Sequence, residues 1–144
     1  MRRLLRNGLL ILVPLATGCA TARRGPDPFN SLYITSADLE GVRYKTAFDV
    51  LAHHRRLLIQ EGEIAFRGGA NLDGENKRYS LPLIVVNGDY YLGSPTTVLR
   101  LIPTRNIAVI ELIYASEVGP RLRRPEASGG VIQVTTKDGH TPAG

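Results

Sequence analysis

The chain has 144 residues, 18 Lys and Arg against 13 Asp and Glu, one Cys and no Trp. That length suits one domain of modest core size, and a single cysteine excludes an intramolecular disulfide framework. Arg2, Arg3 and Arg6 fall in the first six positions, so residues 19–144 keep 15 basic residues (18 less 3) against the same 13 acids. The alkaline balance therefore gives no ground for a nucleic-acid partner.

In chain order, the three arginines form a positive leader and Leu9-Leu10-Ile11-Leu12-Val13 an apolar core. Leu15-Ala16-Thr17-Gly18-Cys19 then places small residues before a cysteine. This is the pattern of an export signal over residues 1–18. The apolar stretch is shorter than the roughly 20 residues that a spanning helix needs. Ala16-Thr17-Gly18-Cys19 resembles a lipobox, with Ala16 where such motifs usually carry leucine. Lipidation of Cys19 and a membrane partner reached through that lipid are the expectation. Ala20, by resemblance to the usual sorting rule, directs the protein to the periplasmic face of the outer membrane. Residues 19–30, with small residues, charges and Pro26 and Pro28, predict a flexible tether.

A folded domain is expected over residues 31–137. Leu32-Tyr33-Ile34 predicts a short strand, and Thr35 with Asp38 a brief helix through Glu40 that Gly41 stops. Thr46 and Asp49 repeat that start signal. The apolar positions Ala47, Val50, Leu51, His54 and Leu58 predict a helix running to about Ile59. Ile64-Ala65-Phe66 predicts a strand or turn, followed by an exposed loop around Gly68-Gly69-Ala70-Asn71. Leu83–Val86, Asn87-Gly88 and Asp89–Leu92 predict a β-hairpin, because Asn and Gly both tolerate positive φ. Ser94-Pro95 opens a short helix through Leu101, and Pro103 ends it. Asn106–Tyr114 and Val131–Thr136 predict strands. Between them a loop is expected, with Gly119-Pro120 and a basic knot at Arg121, Arg123 and Arg124. Residues 138–144 predict a disordered tail. The whole predicts an α+β domain, a small mixed β-sheet with short helices on one face.

This order of signals resembles the plug domain of TonB-dependent outer-membrane receptors. The resemblance is carried by Ile34–Leu39, Thr46–Leu51, Leu83–Gly88, Leu101–Pro103, Ile107–Ile113, Ala115–Glu117 and Gly129–Lys137. It implies a plug-like fold and a place beside TonB-dependent receptor or transport systems. Three departures stand against receptor transport itself. The chain stops within a few residues of Lys137, where a receptor continues into a barrel. No TonB-binding segment precedes the domain, and Leu122-Arg123 replaces the usual aromatic-glycine pair.

No catalytic residue, metal site or cofactor is expected. His53 and His54 are helical neighbours, about 100° apart, so they do not converge on one ion, and His140 lies in the tail. One buried and one solvent histidine is the simpler reading. Asp89, Glu111 and Glu117 form no motif, and neither Gly68-Gly69 nor Gly129-Gly130 carries the Lys-Ser/Thr of a phosphate loop. Gly129-Gly130 predicts instead a tight turn into the last strand. Arg121, Arg123 and Arg124 are candidates for contact with lipid headgroups or an acidic partner, against a plain solvated loop. Tyr90, Tyr91 and Tyr114 could form an aromatic surface or pack on the sheet. The expected function is a non-enzymatic domain that binds another envelope component. The alternatives are a structural protein that self-associates through an exposed strand such as the one near Val131, or a small periplasmic enzyme using His54 and loop carboxylates.

Overall fold

A computed structural model describes residues 31–68, 80–122 and 125–139. Its elements are β1 (Tyr33–Thr35), α1 (Ala47–Ala52), β2 (Leu57–Gln60), β3 (Glu63–Phe66), β4 (Leu83–Val86), β5 (Asp89–Tyr91), α2 (Pro95–Arg100), β6 (Ile107–Ile113), α3 (Ala115–Leu122) and β7 (Val131–Thr136). Short 3-10 turns cover Thr104–Asn106 and Pro125–Ala127. The fold is a small α+β domain built on a mixed five-stranded sheet in the order β1-β6-β7-β4-β5, with β2 and β3 as a separate hairpin. Only β4 and β7 run parallel; the other neighbours are antiparallel.

The local chemistry explains most boundaries. Thr46 and Asp49 form a full capping box, each side chain bonding the other's backbone N–H, so α1 starts where its orphan donors are satisfied. Ser94 caps α2, with Pro95 at its first position. Asn87 (φ 52°) and Gly88 (φ 94°) make the tight turn of the β4–β5 hairpin. At Gly129 a Cβ would strike the carbonyl oxygens of Leu81 and Ser80. At Gly130 (φ +92°) it would lie 2.8 Å from the Ile113 oxygen. Both glycines are thus required where β7 enters between β4 and β6.

Three expectations are corrected. The helix predicted to reach Ile59 ends at Ala52, and Leu57–Gln60 forms a strand paired with Glu63–Phe66. The reason is a second two-residue turn, Glu61-Gly62, with φ of 51° and 84°, which suits a hairpin between two β-forming runs. The segment after Thr35 is a series of i to i+3 turns rather than a helix: the N–H groups of Asp38, Leu39 and Glu40 bond the carbonyls of Thr35, Ser36 and Ala37. Asp38 still accepts from the Thr35 N–H and hydroxyl at 2.8 and 2.7 Å. The predicted loop after β6 is helix α3 in its first eight residues, Gly119-Pro120 included.

Both faces of the sheet carry apolar residues. Ile34, Ile84, Val86, Ile110, Leu112, Ile132 and Val134 pack with Val50 and Leu51 of α1, Val98 and Leu99 of α2, and Ile64 and Phe66 of the small hairpin. On the other side Leu83, Val85, Ile113 and Val131 pack with Val118 of α3 and Ala127. All four residues of β4 are therefore buried, the continuous apolar run of a strand covered on both faces.

Candidate functional site

Alternation along the strands sorts the second face into a covered and an open half. The rung Leu83–Val131–Ile113 lies under α3. The next rung runs Tyr33, Glu111, Gln133, Val85 and Tyr90, from one sheet edge to the other. Tyr33 and Tyr90 are 49% and 40% exposed; between them Glu111 and Gln133 are half-buried, and Val85 is buried with Val118 of α3. The Tyr33 hydroxyl donates to Glu111 Oε1 at 2.9 Å. Beyond it Thr35, Val109 and Thr135 form a further rung, exposed or half-buried. This is a mixed aromatic and polar strip, the composition that suits a contact surface whose tyrosines offer apolar area with a polar tip.

Of the three tyrosines singled out in the sequence, only Tyr90 belongs to this strip. Tyr91 and Tyr114 pack against the main core. The Tyr114 ring lies 5.1 Å from that of Phe66 in a tilted arrangement, and its hydroxyl accepts from Arg56 Nη1 at 3.1 Å. Burial pushes the Tyr91 hydroxyl's pKa up, and the Asp89 carboxylate adds to that.

His54 is 2% exposed and His53 is exposed, but the helix has already ended at both. His54 Nε2 lies 2.9 Å from the Ser31 carbonyl oxygen, so it carries the proton, while Nδ1 accepts from the Arg56 N–H at 3.3 Å. These are main-chain partners that fix the neutral tautomer and tie the chain before β1 to the end of α1. His53 stacks on Tyr44 at 4.6 Å. Among the described residues no group of three or more His, Cys, Asp or Glu side chains converges to hold a metal ion.

Glu63 organises the small hairpin against α2. Its carboxylate accepts from the Ser94 hydroxyl at 2.5 Å and from the Thr96 N–H at 3.1 Å, while the Thr96 hydroxyl donates to the Gly62 carbonyl. Desolvation raises its pKa, but those hydrogen bonds and the Arg100 charge outweigh it and hold the group below the ordinary glutamate value. The role is positional, fastening β2–β3 to the start of α2.

A cleft of about 290 Å³ opens at the opposite end of the sheet. An isolated bridge between Thr46 and Pro103, with Thr104 N–H donating to the Lys45 carbonyl at 3.0 Å, brings residues 44–46 beside the start of β6. Lys137 N–H donates to the Asn106 carbonyl at 2.8 Å and so carries the end of β7 to the same place. The walls are Ser36, Leu39, Glu40 and Val42 from the turns after β1, with Tyr44, Thr104, Arg105, Ile107 and Lys137. Thr104 is 9% exposed, and its hydroxyl is buried with no hydrogen-bond partner. Such an unpaired group costs about 1–3 kcal/mol. Sequence reasoning did not single out these residues. They come from three separated segments, and only the cross-strand register unites them.

Cys19, Arg123 and Arg124 lie outside the described residues, as do residues 69–71 of the predicted loop and the tail from His140. Arg121 lies in the last turn of α3, a helix rather than the expected loop, and its side chain is outside what is described. The strand near Val131, expected as a self-association edge, is interior. β7 pairs with β6 on one side and β4 on the other, and the free edges belong to β1 and β5. Among the described residues no helix is long and apolar enough to cross a membrane. No protein-family model matches the chain, and no curated protein matches it.

Proposed function

We propose that this chain is a lipid-anchored, plug-like domain of the outer membrane that faces the periplasm and works by binding another envelope component, in the setting of TonB-dependent receptor or transport systems. In this reading Cys19 carries the lipid and residues 19–30 hold the domain off the membrane surface.

One observation carries the proposal. The segments with plug-like sequence include most of the domain's frame: β4, β6 and β7 in full, nearly all of α1, the end of β1 and the start of α3, with Leu101–Pro103 just after α2 and residues 36–39 in the turns after β1. A plug-like sequence scattered over loops would carry no such weight. The exposed and half-buried residues Tyr33, Glu111 and Gln133, with Thr35, Val109 and Thr135 beyond them, add a surface at the β1 side of the sheet on which a partner could sit, while Val85 of the same rung is covered by α3. Arg121 in the last turn of α3 and Arg123 and Arg124 just after it in sequence carry a charge that suits an acidic partner or phosphate headgroups.

The test is site-specific photo-crosslinking in cells, with the crosslinking residue at Tyr33, Gln133 or Thr135 and, as a control, at Ala52 on α1. The proposal predicts a discrete adduct with one envelope component from the strip positions, weaker from Ala52, and lost with Cys19→Ala. Equal background at all four positions would contradict it.

A further inference from the structure

We infer that the cleft between the turns at 36–42 and the ends of β6 and β7 is a binding site for a small carboxylate with an apolar body, independent of the lipid-anchor reading. Its volume of about 290 Å³ sits at the small end of the range for ligand sites, about 300–1,000 Å³. That is too small for a folded partner and ample for a short organic acid.

Charge chooses the ligand's sign. Arg105 and Lys137 both line the cleft and both are exposed, against one acid, Glu40. The bond from Lys137 N–H to the Asn106 carbonyl brings the main chain of Lys137 next to the segment that carries Arg105. The arginine fork matches a carboxylate in geometry, and the lysine adds a point charge. Leu39, Val42 and Ile107 supply the apolar part of the wall, with the Tyr44 ring beside them.

Thr104 provides the second, independent observation. Among the described residues its hydroxyl is the buried side-chain polar group without a partner, and it belongs to a residue of the cleft wall. A 120° turn about χ1 carries its hydroxyl to the place of the methyl group and the methyl to the place of the β-hydrogen. A carboxylate held at Arg105 and Lys137 would give that hydroxyl an acceptor. Binding therefore satisfies a group that folding leaves unpaired.

The probes are benzoate, its neutral analogue benzamide, and inorganic phosphate, titrated into the full chain labelled with nitrogen-15. Benzoate should give saturable amide shifts at Leu39, Thr104 and Ile107, with much weaker binding of both other probes. Arg105→Gln or Lys137→Gln should each weaken benzoate by up to about fivefold, and Glu40→Gln should tighten it by a similar factor. All three positions are exposed, so the variants should keep the dispersed spectrum of the folded chain. Thr104→Val, which keeps the shape, should weaken benzoate without lowering the Tm of the free protein, since it removes an unpaired hydroxyl. Four results would overturn the inference: no saturable shifts with benzoate, equal binding of benzamide, equal binding of phosphate, or charge variants that leave the affinity unchanged.

Discussion

Replacing Asn87 by alanine removes a side chain that closes the parallel β4–β7 ladder. Asn87 Nδ2 donates to Thr136 Oγ1 at 2.9 Å, and the Thr136 N–H donates to Asn87 Oδ1 at 2.8 Å. The Asn87 N–H reaches the Val134 carbonyl at 2.9 Å, so the side chain adds one more rung where the strand itself turns away. Thr136 is 7% exposed, so loss of the Asn87 acceptor of its N–H costs about 1–3 kcal/mol. The backbone at position 87 is left-handed, which costs alanine about 1 kcal/mol more than asparagine. The sum for Asn87→Ala is about 2–4 kcal/mol. Asn87→Gly relieves the backbone part and keeps the hydrogen-bond loss, so it should fall lower in that range. Asn87→Asp keeps an acceptor for Thr136 and should lose least. Urea unfolding followed by tyrosine fluorescence and far-ultraviolet circular dichroism measures all three. An Asn87→Ala variant within 0.5 kcal/mol of the parent (about the scatter of a neutral surface change) would refute the reasoning. An order in which Asp is worst would refute it equally.

Other expectations follow from the same frame. Gly129→Ala places a Cβ against two backbone carbonyls that cannot swing aside, and should destabilise by about 3 kcal/mol or more, whereas Gly93→Ala meets nothing within 4 Å and should be near neutral; urea midpoints compare the two. The folded-state pKa of Glu63 is depressed, so its stabilising contribution is present above the unfolded value and is lost as pH falls through the folded one. The parent should therefore lose stability as pH falls below the ordinary glutamate value, and Glu63→Gln should start lower at neutral pH and decline less; parallel acid limbs would count against the assignment. Cys19→Ala should move the protein from the membrane fraction to the soluble one, read by fractionation and immunoblot.

The parts of the fold legible in the sequence are those set by local backbone chemistry. The capping pair Thr46 and Asp49, the Asn87-Gly88 turn, the Ser94-Pro95 start and the Gly129-Gly130 entry each act through atoms a few residues away. The Leu57–Phe66 hairpin was hidden for two reasons. Leu58 and His54 continue the helical spacing of α1, and Glu61 is an unusual first residue for a turn with two positive φ angles. Helix α3 was hidden by Gly119-Pro120, which oppose helix formation, yet Val118 buried over Leu83, Val85, Ile113 and Val131 supplies packing that local propensity does not register. The open strip and the cleft were illegible because both depend on register. Tyr33 and Tyr90 share a rung only because β6, β7 and β4 lie between them in that order, and Thr104, Glu40 and Lys137 meet only at the sheet's end.

Intact-mass spectrometry of the protein extracted from membranes probes the anchored-domain account most directly. The account predicts a chain that begins at Cys19 and carries the added mass of acyl chains on that residue. A chain that still begins at Met1, or one that begins later with an unmodified thiol and stays in the soluble fraction, would contradict it.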